Sequence, residues 1–445
     1  MGKILIKNAT IVNEDEIFVS DVLIDENYIS QIDKDITDDT AKIINAEGLV
    51  LMPGAIDDQV HFREPGLTHK GEIYTEAKAA VAGGVTSYME MPNTVPQAVT
   101  IGELEKKYTR AKECSLANYS FFMGGTNVNL EETLKVDYKT VCGLKLFMGS
   151  STGDMLVDNE KTLEGFFSKA NTLIATHCEY DPMIKENQKR IVQEYGEDLP
   201  AYFHPIIRNE EACFKSSSFA VELAKKHNTR LHILHISTAK ELDLFTNKIP
   251  LKQKRITAEA CIHHLWFNDD DYKKKGNFIK WNPSVKTEYD RAHIFEAVLD
   301  GRIDVIATDH APHTLEEKQL PYLQAPSGGP LVQHSILAML EFYKQKKISL
   351  EKIVRMMSHN VADIFKIEKR GYIREGYFAD LVLVDLNHPT EVTKASLLYK
   401  CGWSPFEGTT FSASINKTIV SGHLVYDNGT FDESKKGERL SFKRD

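Results

Sequence analysis

Short apolar runs alternate with longer amphipathic stretches through the central part of the chain. Stretches with the helical period separate most of these runs, for example over 72–82 and 217–226. This alternation of strand and helix patterns is typical of a parallel sheet. Because there are eight such runs, the pattern predicts an α/β fold of the TIM type, a (β/α)8 barrel. The runs cover 49–59, 84–91, 118–124, 141–148, 172–178, 230–236, 256–261 and 303–308.

An open, doubly wound sheet is the alternative architecture for such a pattern. Its dinucleotide-binding form carries a Gly-x-Gly-x-x-Gly motif directly after the first strand. No such motif follows the run 49–59, and the dinucleotide-binding version is therefore disfavoured. The barrel is the predicted fold of the central region, which we place at 51–368.

The two ends of the chain have a different pattern, in which short strands follow one another with turns between them. Neither end has enough strands to be stable alone. We therefore expect them to pair into one small β-sandwich domain, built from an N-terminal part, 1–50, and a C-terminal part, 369–445. The strand patterns cover 3–12, 21–32, 42–46, 379–385, 413–421 and 423–426.

Composition narrows the class of protein. The chain has 445 residues, of which 42% are hydrophobic and 27% charged, as in soluble globular proteins. The net charge of −10 disfavours a nucleic-acid partner, and no apolar run approaches the roughly 18 residues that a membrane span needs. Six cysteines without a Cys-x-x-Cys pair, and an amino terminus without a signal-peptide pattern, predict a cytoplasmic protein with reduced thiols.

The first predicted barrel strand ends in an unusual group of polar residues. Strict alternation would place Asp57, Gln59, His61 and Arg63 on one face. Burying a carboxylate, an amide, an imidazole and a guanidinium together is costly unless a ligand compensates them. This run therefore predicts a metal ion or an anionic ligand at the end of the strand.

Reactive side chains recur where the other predicted strands end, which in a barrel is the rim that carries active sites. A single histidine at such a place is more often a satisfied core residue than a metal ligand, but repetition at several strand ends favours a shared site. Histidine and aspartate are ligands of Zn²⁺. The residues concerned are His61, Asn93, Lys145, His177, His235 and Asp309, followed by His310 and His313.

Lys145 needs a separate explanation, because an ammonium group beside a metal ion would repel it. A buried lysine can lose its proton. The neutral amine can then add CO₂, and the resulting carbamate can bridge two metal ions. Two metals about 3.5–4 Å apart lower the pKa of water from about 15.7 towards 7. Asp309 could bind one metal and move the proton to or from a leaving nitrogen.

The combination of motifs resembles the amidohydrolase superfamily, and within it the dihydroorotases, along nearly the whole chain. The motifs are Pro53-Gly54-Ala55-Ile56-Asp57, His61-Phe62-Arg63-Glu64-Pro65-Gly66, Met91-Pro92-Asn93-Thr94, Gly143-Leu144-Lys145-Leu146-Phe147, Thr176-His177-Cys178-Glu179, Leu234-His235-Ile236-Ser237-Thr238, Thr257-Ala258-Glu259, His263-His264-Leu265, Asn282-Pro283, Ala307-Thr308-Asp309-His310-Ala311-Pro312-His313, 371–380 and Ser404-Pro405-Phe406-Glu407-Gly408.

The resemblance implies a reversible ring closure of N-carbamoyl-L-aspartate to L-dihydroorotate, with Asp309 as the catalytic acid and base. It implies that Arg63 binds the substrate carboxylate together with Asn93 and His313, and that Asn282 lies near the ring. It further implies one or two Zn²⁺ ions per subunit, two being favoured, and a CO₂-derived carbamate on Lys145. A homodimer, and an association with aspartate transcarbamoylase, are the partners that the resemblance suggests.

The metal ligands implied by the resemblance are His61, Lys145, His177, His235 and Asp309, with one departure. The family pattern has His-x-His on the first strand, where this chain has Gln59-x-His61. A glutamine oxygen is a weaker zinc ligand than imidazole. Gln59 could ligate through that oxygen, the first metal could bind loosely, or only one metal could bind.

Two histidines of the sixth run compete for the metal. Because His232 and His235 are three residues apart, a regular strand would turn them to opposite sides. His235 is nearer the end of the strand, and we assign it as the ligand.

Three alternative functions stay open at this stage. A serine hydrolase is suggested by Gly149-Ser150-Ser151-Thr152-Gly153, although the helix that should begin at the serine is not predicted there, and we interpret the segment as a rim loop. An inactive, dihydroorotase-like scaffold of aspartate transcarbamoylase is suggested only by Gln59. A hydantoinase or allantoinase would keep the chemistry with another substrate, and Arg63 disfavours it.

Overall fold

The computed structural model describes residues 2–149 and 155–444. Most of the Gly149–Gly153 motif lies outside the described residues. The strands are β1 (Ile4–Asn13), β2 (Glu16–Asp25), β3 (Tyr28–Asp33), β4 (Lys42–Asn45), β5 (Val50–Pro53), β6 (Ala55–Val60), β7 (Val85–Glu90), β8 (Asn118–Phe121), β9 (Met123–Gly124), β10 (Leu144–Phe147), β11 (Ile174–His177), β12 (Leu231–Ile233), β13 (Ile256–Cys261), β14 (Val305–Ala307), β15 (Leu381–Asp385), β16 (Thr390–Glu391), β17 (Thr410–Phe411), β18 (Ser414–Val420), β19 (His423–Asp427) and β20 (Thr430–Phe431).

Helices follow most of the central strands. They are α1 (Ile73–Ala82), α2 (Ile101–Cys114), α3 (Leu130–Thr133), α4 (Glu160–Lys169), α5 (Asp181–Tyr195), α6 (His204–Ile207), α7 (Glu210–His227), α8 (Ile262–Trp266), α9 (Tyr272–Lys275), α10 (Glu288–Asp300), α11 (Leu315–Lys318), α12 (Ser335–Lys344), α13 (Leu350–Val354) and α14 (Asn360–Phe365). The ends of α10 show how the sequence sets such boundaries. Thr287 and Asp290 form a capping box at its start, and Gly301 ends it in the left-handed conformation.

The central strands form a closed parallel barrel, as predicted. Strands β6, β7 and β8 pair in order, and β9 to β14 pair in order, with β8 and β9 forming one interrupted barrel strand. The Phe122 amide, at the interruption, donates to the Glu90 carbonyl at 3.0 Å. The barrel closes where the His61 amide donates to the His310 carbonyl at 2.7 Å, beside a parallel bridge between Val60 and His310. The (β/α)8 fold is confirmed.

The two ends of the chain form one nine-stranded sheet, in which β5 of the N-terminal part pairs antiparallel with β15 of the C-terminal part. Strand β1 pairs with β4 over its first half and with β5 further along. Apolar side chains from the N-terminal and the C-terminal part share one buried cluster, which includes Ile6, Val22 and Leu383. The predicted small β domain is therefore confirmed as part of the fold, whereas the exact domain boundaries stay a prediction.

The run 49–59 is the main correction to the predicted strands. It contains two strands and not one, because β5 belongs to the nine-stranded sheet and β6 to the barrel. Gly54, between them, lies against the side chain of Thr86, where an added Cβ would be 2.1 Å from the Thr86 methyl group. Continuous apolar character could not reveal this division, since both strands are fully buried.

Strand β6 also departs from strict alternation. Its pairing with β7 shifts register between Asp57 and Val60, where an extra residue enters β6. Such a bulge re-aims side chains. The predicted alternation from Asp57 to Arg63 therefore holds only in part. Gln59 and His61 both contact Asp309, but Asp58, which alternation would turn away, also enters the barrel and reaches His232. None of the helices in the described residues is long and apolar enough to cross a membrane.

Candidate active site at the carboxyl ends of the barrel strands

Five of the predicted metal ligands come together inside one end of the barrel, and all of them are buried. Four of them lie at the carboxyl ends of β6, β11, β12 and β14, which the parallel barrel brings to one rim, and Lys145 lies inside β10, as the second of its four residues. The closest side-chain atoms form two pairs, one between His61 and Asp309 and one between His177 and His235. The residues of this set are His61, Lys145, His177, His235 and Asp309.

In the pair of His61 and Asp309, the two facing atoms are both hydrogen-bond acceptors. His61 Nδ1 lies 2.8 Å from Asn93 Oδ1, and because an amide oxygen only accepts, Nδ1 carries the proton. His61 Nε2 then faces Asp309 Oδ1 at 3.1 Å as a bare nitrogen, since burial lowers the pKa of His61 well below its usual value. Burial raises the pKa of Asp309 to about 7. A cation, either a proton or a metal ion, fits between the two acceptors.

Gln59 lies beside this pair, with its amide nitrogen pointing at the carboxylate. Gln59 Nε2 donates to Asp309 Oδ1 at 3.2 Å, and Gln59 Oε1 lies 3.7 Å from Cys261 Sγ. In this orientation Gln59 orients Asp309 through a hydrogen bond, and its oxygen is directed to the thiol.

The second pair is held from behind by a buried ion pair. His177 Nε2 donates to Glu179 Oε2 at 3.0 Å, which leaves Nδ1 facing His235 Nε2 at 2.9 Å. Glu179 also pairs with Arg208, from the loop between α6 and α7. Burial opposes the ionisation of Glu179, but Arg208 and His177 outweigh it and hold the pKa of this carboxyl below its usual value. His177 is thus fixed in the tautomer that presents Nδ1 to the site.

Lys145 has the environment that its predicted role requires. The residue is only 1% exposed, and Nζ lies 4.6 Å from the centre of the Phe147 ring. Burial lowers the pKa of Lys145 to about 7. A large fraction of this amine is therefore neutral near neutral pH, which is the form that can react with CO₂.

Three residues of the site have a backbone conformation that side-chain-bearing residues rarely adopt. The φ angles of Arg63, His235 and Asp309 are 70°, 40° and 47°. Each of these residues comes just after a barrel strand, where the chain turns away from the sheet. Non-glycine residues with positive φ carry backbone strain and cluster at functional sites.

A basic group lies at the mouth of the barrel beside the metal ligands. Arg63 Nε donates to the Pro312 carbonyl at 3.0 Å, and Arg63 Nη2 lies 3.1 Å from His313 Nε2. Burial lowers the pKa of Arg63 to about 10, so this guanidinium stays charged at neutral pH. Within 2–149 and 155–444, no carboxylate oxygen lies at ion-pair distance from it. A buried guanidinium without a carboxylate partner favours an anionic ligand.

Of the two remaining predicted residues, Asn93 contacts a candidate metal ligand directly, and Asn282 is next in sequence to a residue that does. Asn93 contacts His61 as described above, and Asn282 follows Trp281, whose indole N–H donates to the Asp309 carbonyl at 3.3 Å. Among the described residues, the side-chain oxygen of Asn282 is buried without a hydrogen-bond partner. Asn282 therefore has an acceptor to offer to a ligand.

Sequence reasoning missed two further contributors. Lys70 Nζ lies 3.1 Å from His313 Nδ1 and pairs with Glu317 at 2.9 Å, so it orients the histidine at the mouth. Arg208, which supports His177 through Glu179, is 29 residues away from that carboxylate in sequence. Glu179 belongs to the motif Thr176-His177-Cys178-Glu179, and its position two residues after His177 is the signal in the sequence that points to this supporting role.

Comparison with known proteins agrees with this geometry. A family model described as Amidohydrolase family matches residues 50–425. A dihydroorotase from Lactobacillus gasseri is 32% identical over 435 residues, covering 96% of this chain and 99% of the relative. A dihydroorotase from Halobacterium salinarum is 32% identical over 420 residues, covering 93% of this chain and 94% of the relative.

Among solved structures, the L-hydantoinase (dihydropyrimidinase) from Arthrobacter aurescens superposes with a TM-score of 0.94. It is 25% identical and covers 99% of this chain and 100% of its own. The overall fold is thus shared with hydantoinases, whereas the curated relatives named above are dihydroorotases. The chain belongs to the amidohydrolase family and groups within it with the dihydroorotases.

Proposed function

We propose that this protein reversibly closes N-carbamoyl-L-aspartate to L-dihydroorotate with release of water. In the closing direction the terminal carbamoyl nitrogen forms a C–N bond with the side-chain carboxyl carbon, and one oxygen of that carboxyl leaves as water. The other carboxylate stays free in both the open and the closed molecule. The observation that carries the proposal is the buried Arg63, which has no carboxylate partner among the described residues and would bind this free carboxylate.

The basic group at the mouth suits one carboxylate. Arg63 supplies charged N–H donors in a planar fork, and charge-assisted hydrogen bonds of this kind contribute roughly 1.5–3 kcal/mol each. His313 lies beside the fork, and Lys70 holds His313 from its other nitrogen. Asn93 and Asn282 offer amide groups close to the same mouth, and we assign both to substrate binding.

The arrangement of the candidate ligands is suited to divalent metal ions. His61 Nε2 and Asp309 Oδ1 face each other as two acceptors, a position that a cation would satisfy. We assign His61, Asp309, His177, His235 and Lys145, the last as its carbamate, to hold one or two Zn²⁺ ions. When bound, such ions would activate water and polarise the carbonyl group. Gln59 is assigned to orienting Asp309 through its hydrogen bond.

Asp309 has the geometry and the environment for the proton transfer. During ring opening it would take a proton from water and deliver it to the departing ring nitrogen, and during closure it would run the same transfer in reverse. Its raised pKa of about 7 suits both directions, because neither protonation state is strongly favoured at neutral pH. Trp281 donates to the Asp309 carbonyl and so supports the backbone of this residue from one side.

The test of the proposed function is ring opening of L-dihydroorotate by the purified, zinc-supplemented protein, followed through the loss of substrate absorbance. We expect turnover that chelation abolishes and zinc restores. Turnover that persists after the metal has been removed would contradict the assigned chemistry. Bound metal without turnover of L-dihydroorotate would contradict the assigned substrate.

A second candidate substrate is a hydantoin or a dihydropyrimidine, and the close superposition on the Arthrobacter aurescens hydantoinase favours it. Such rings lack the free carboxylate, which leaves Arg63 without a ligand. We expect L-dihydroorotate to be turned over faster than hydantoin or dihydrouracil at equal concentrations. The reverse order would favour this second candidate.

Glu179 offers a prediction about metal affinity. Substitution Glu179→Gln removes the charge that orients His177, and changes in such supporting partners weaken metal binding by about 10–100-fold. Zinc affinity, measured by competition with a coloured chelator, should fall accordingly. The matched control is Glu164→Gln, because Glu164 accepts from His227 at 2.7 Å on the surface, away from the site. An equal loss in both variants would show that the effect is not specific to His177.

The homodimer and the association with aspartate transcarbamoylase stay predictions that rest on the family resemblance, and the cytoplasmic location stays a prediction that rests on the composition of the chain.

A further inference from the structure

A second group of ionisable residues lies inside the barrel and is separate from the five ligands at the rim. Asp58 of β6, His232 of β12 and Glu259 of β13 have no solvent exposure. His232 Nε2 is 3.0 Å from Asp58 Oδ2 and 3.8 Å from Glu259 Oε2. One donor atom from each residue lies within 4.8 Å of the others. Two atoms bound to one ion at the usual metal–ligand distances of about 2.0–2.2 Å lie at most about 4.4 Å apart, so the observed separations are close to those of a metal site.

Although His232 Nε2 lies 3.0 Å from Asp58 Oδ2, the two atoms are not aligned for a hydrogen bond, and four atoms of this group make none among the described residues. They are both carboxylate oxygens of Asp58, Nε2 of His232 and Oε2 of Glu259. Buried polar atoms nearly always have a partner, and each exception requires an explanation. Here the four exceptions belong to three residues that converge on one point, which indicates a common missing partner.

The other polar atoms of the same residues are satisfied, and they fix the orientation of the free ones. His232 Nδ1 lies 2.8 Å from the Thr257 hydroxyl, which itself donates to the Leu231 carbonyl at 3.3 Å. The hydroxyl therefore accepts from Nδ1, and Nε2 is directed at the carboxylates. Glu259 Oε1 accepts from the His235 amide at 2.9 Å and from Cys261 Sγ at 3.2 Å, which leaves Oε2 to face His232.

We propose that Asp58, His232 and Glu259 bind a divalent metal ion of the first transition row, such as Zn²⁺ or Mn²⁺, with Asp58 ligating through both oxygens. This gives four protein ligand atoms, a set of imidazole and carboxylate donors that such ions accept. The neutral imidazole and two carboxylates carry a charge of −2, which a divalent ion balances completely. Thr257 serves as the partner that holds His232 in the ligating tautomer.

The bulge in β6 is what makes this group possible. It lets Asp58 and Gln59, which are neighbours in sequence, both turn into the barrel. The strand that lacks the family's first histidine at Gln59 thus offers a carboxylate one residue earlier. The two sites share no ligand, although Glu259 connects them through the His235 amide.

A proton is the competing occupant of the site. Burial opposes protonation of His232, but Asp58 and Glu259 outweigh it and raise the pKa of the imidazole to about 9. An imidazolium would leave the group with a charge of −1 and at least two of the four atoms unsatisfied. Burial and the neighbouring Asp58 raise the pKa of Glu259, and this carboxyl would have to take a second proton to neutralise the group. The divalent ion removes both difficulties.

Because the proposed site is enclosed, we expect its metal ion to exchange slowly, and this can be measured. Because none of the three residues is exposed, the ion would enter during folding and exchange slowly, whereas rim ligands such as His61 and Asp309, which are 9% and 5% exposed, keep some contact with solvent and would release their ions to a chelator sooner. We expect native protein, expressed with added zinc and dialysed against a chelator, to lose its rim metal but keep one equivalent per chain. Metal analysis by mass spectrometry measures the stoichiometry, and anomalous diffraction at the zinc edge locates the ion.

Two variants of one strand provide the comparison. Asp58→Asn should lose the chelator-resistant equivalent, and Asp57→Asn should keep it, because Asp57 is also a buried carboxylate but accepts a hydrogen bond from the Thr308 hydroxyl. An anomalous peak between Asp58, His232 and Glu259 in the native protein supports the proposal even if Asp58→Asn fails to fold. No resistant equivalent and no peak, with the rim site occupied, would overturn it and leave a proton as the occupant. The result is independent of the proposed reaction, since neither measurement uses turnover.

Discussion

Substitution Asp309→Asn should lower kcat for L-dihydroorotate ring opening by about 10²–10⁴-fold, the usual contribution of a general acid or base. The amide preserves the shape of the side chain and can still contact Gln59, but it cannot accept a proton from water. Zinc content measured on the same sample separates the two roles of the residue. We expect the loss of rate to exceed any loss of metal.

The pH dependence of ring opening and of ring closure tests the assignment of Asp309 as the general acid and base, because the two rates should change in opposite directions. Asp309 must be deprotonated to begin ring opening and protonated to begin ring closure. Opening should therefore accelerate, and closure slow down, as the pH rises through the pKa of this carboxyl, which burial holds above its ordinary value. Both limbs should disappear from the residual activity of Asp309→Asn. Identical pH profiles in the variant and the wild type would assign the titration to another group and leave Asp309 as a metal ligand only.

A surface carboxylate controls for the substitution itself. Asp300 ends α10 and bonds to Arg302 in an exposed position, so Asp300→Asn should leave kcat unchanged. A similar loss of rate in both variants would show a general effect on the fold.

Much of this architecture can be predicted because parallel barrels follow a regular alternation of strands and helices. Eight buried strands predict closure, and closure brings their carboxyl ends to one rim. Residues as distant in sequence as His61 and Asp309 could therefore be placed together without coordinates. The outcome depended on strand order, which the βα alternation determines, and not on side-chain detail.

The contacts that sequence reasoning missed depend on local geometry and on loops. The extra residue between Asp57 and Val60 cannot be seen in the apolar pattern, yet it decides that Asp58 faces His232. His232 itself was predicted to face away from the site because alternation was assumed to continue to His235. In the structure β12 ends at Ile233, so the spacing of the two histidines no longer follows strand geometry. Both residues are buried in the barrel, at different depths.

Arg208 shows a different limit. It supports His177 through Glu179, but it belongs to a loop between two helices, where sequence alone has no periodicity to interpret. Long-range ion pairs of this kind become visible only when the loop is placed. The candidate metal ligands can therefore be predicted from the strand pattern, whereas loop residues that support them, such as Arg208, cannot.

Arg63→Ala is the substitution that should discriminate most sharply between substrates. The variant loses the charged fork that we assign to the free carboxylate, and each charge-assisted hydrogen bond lost should lower kcat/KM for L-dihydroorotate by about 10–100-fold. Dihydrouracil has the same ring without that carboxylate. Its kcat/KM, even if small, should be unchanged or increased in the variant.

Comparison of the two substrates distinguishes recognition from a structural role. Arg63 also donates to the Pro312 carbonyl, so its removal could displace the loop that carries His313. Arg63→Lys keeps the positive charge but not the planar fork, and we expect it to restore only part of the activity on L-dihydroorotate. An equal loss on both substrates would mean that Arg63 acts through the loop. Full activity of Arg63→Ala on L-dihydroorotate would show that Arg63 does not bind the substrate carboxylate. Other residues of the pocket would then determine which ring is accepted, and the main reason for separating this protein from the hydantoinases would be lost.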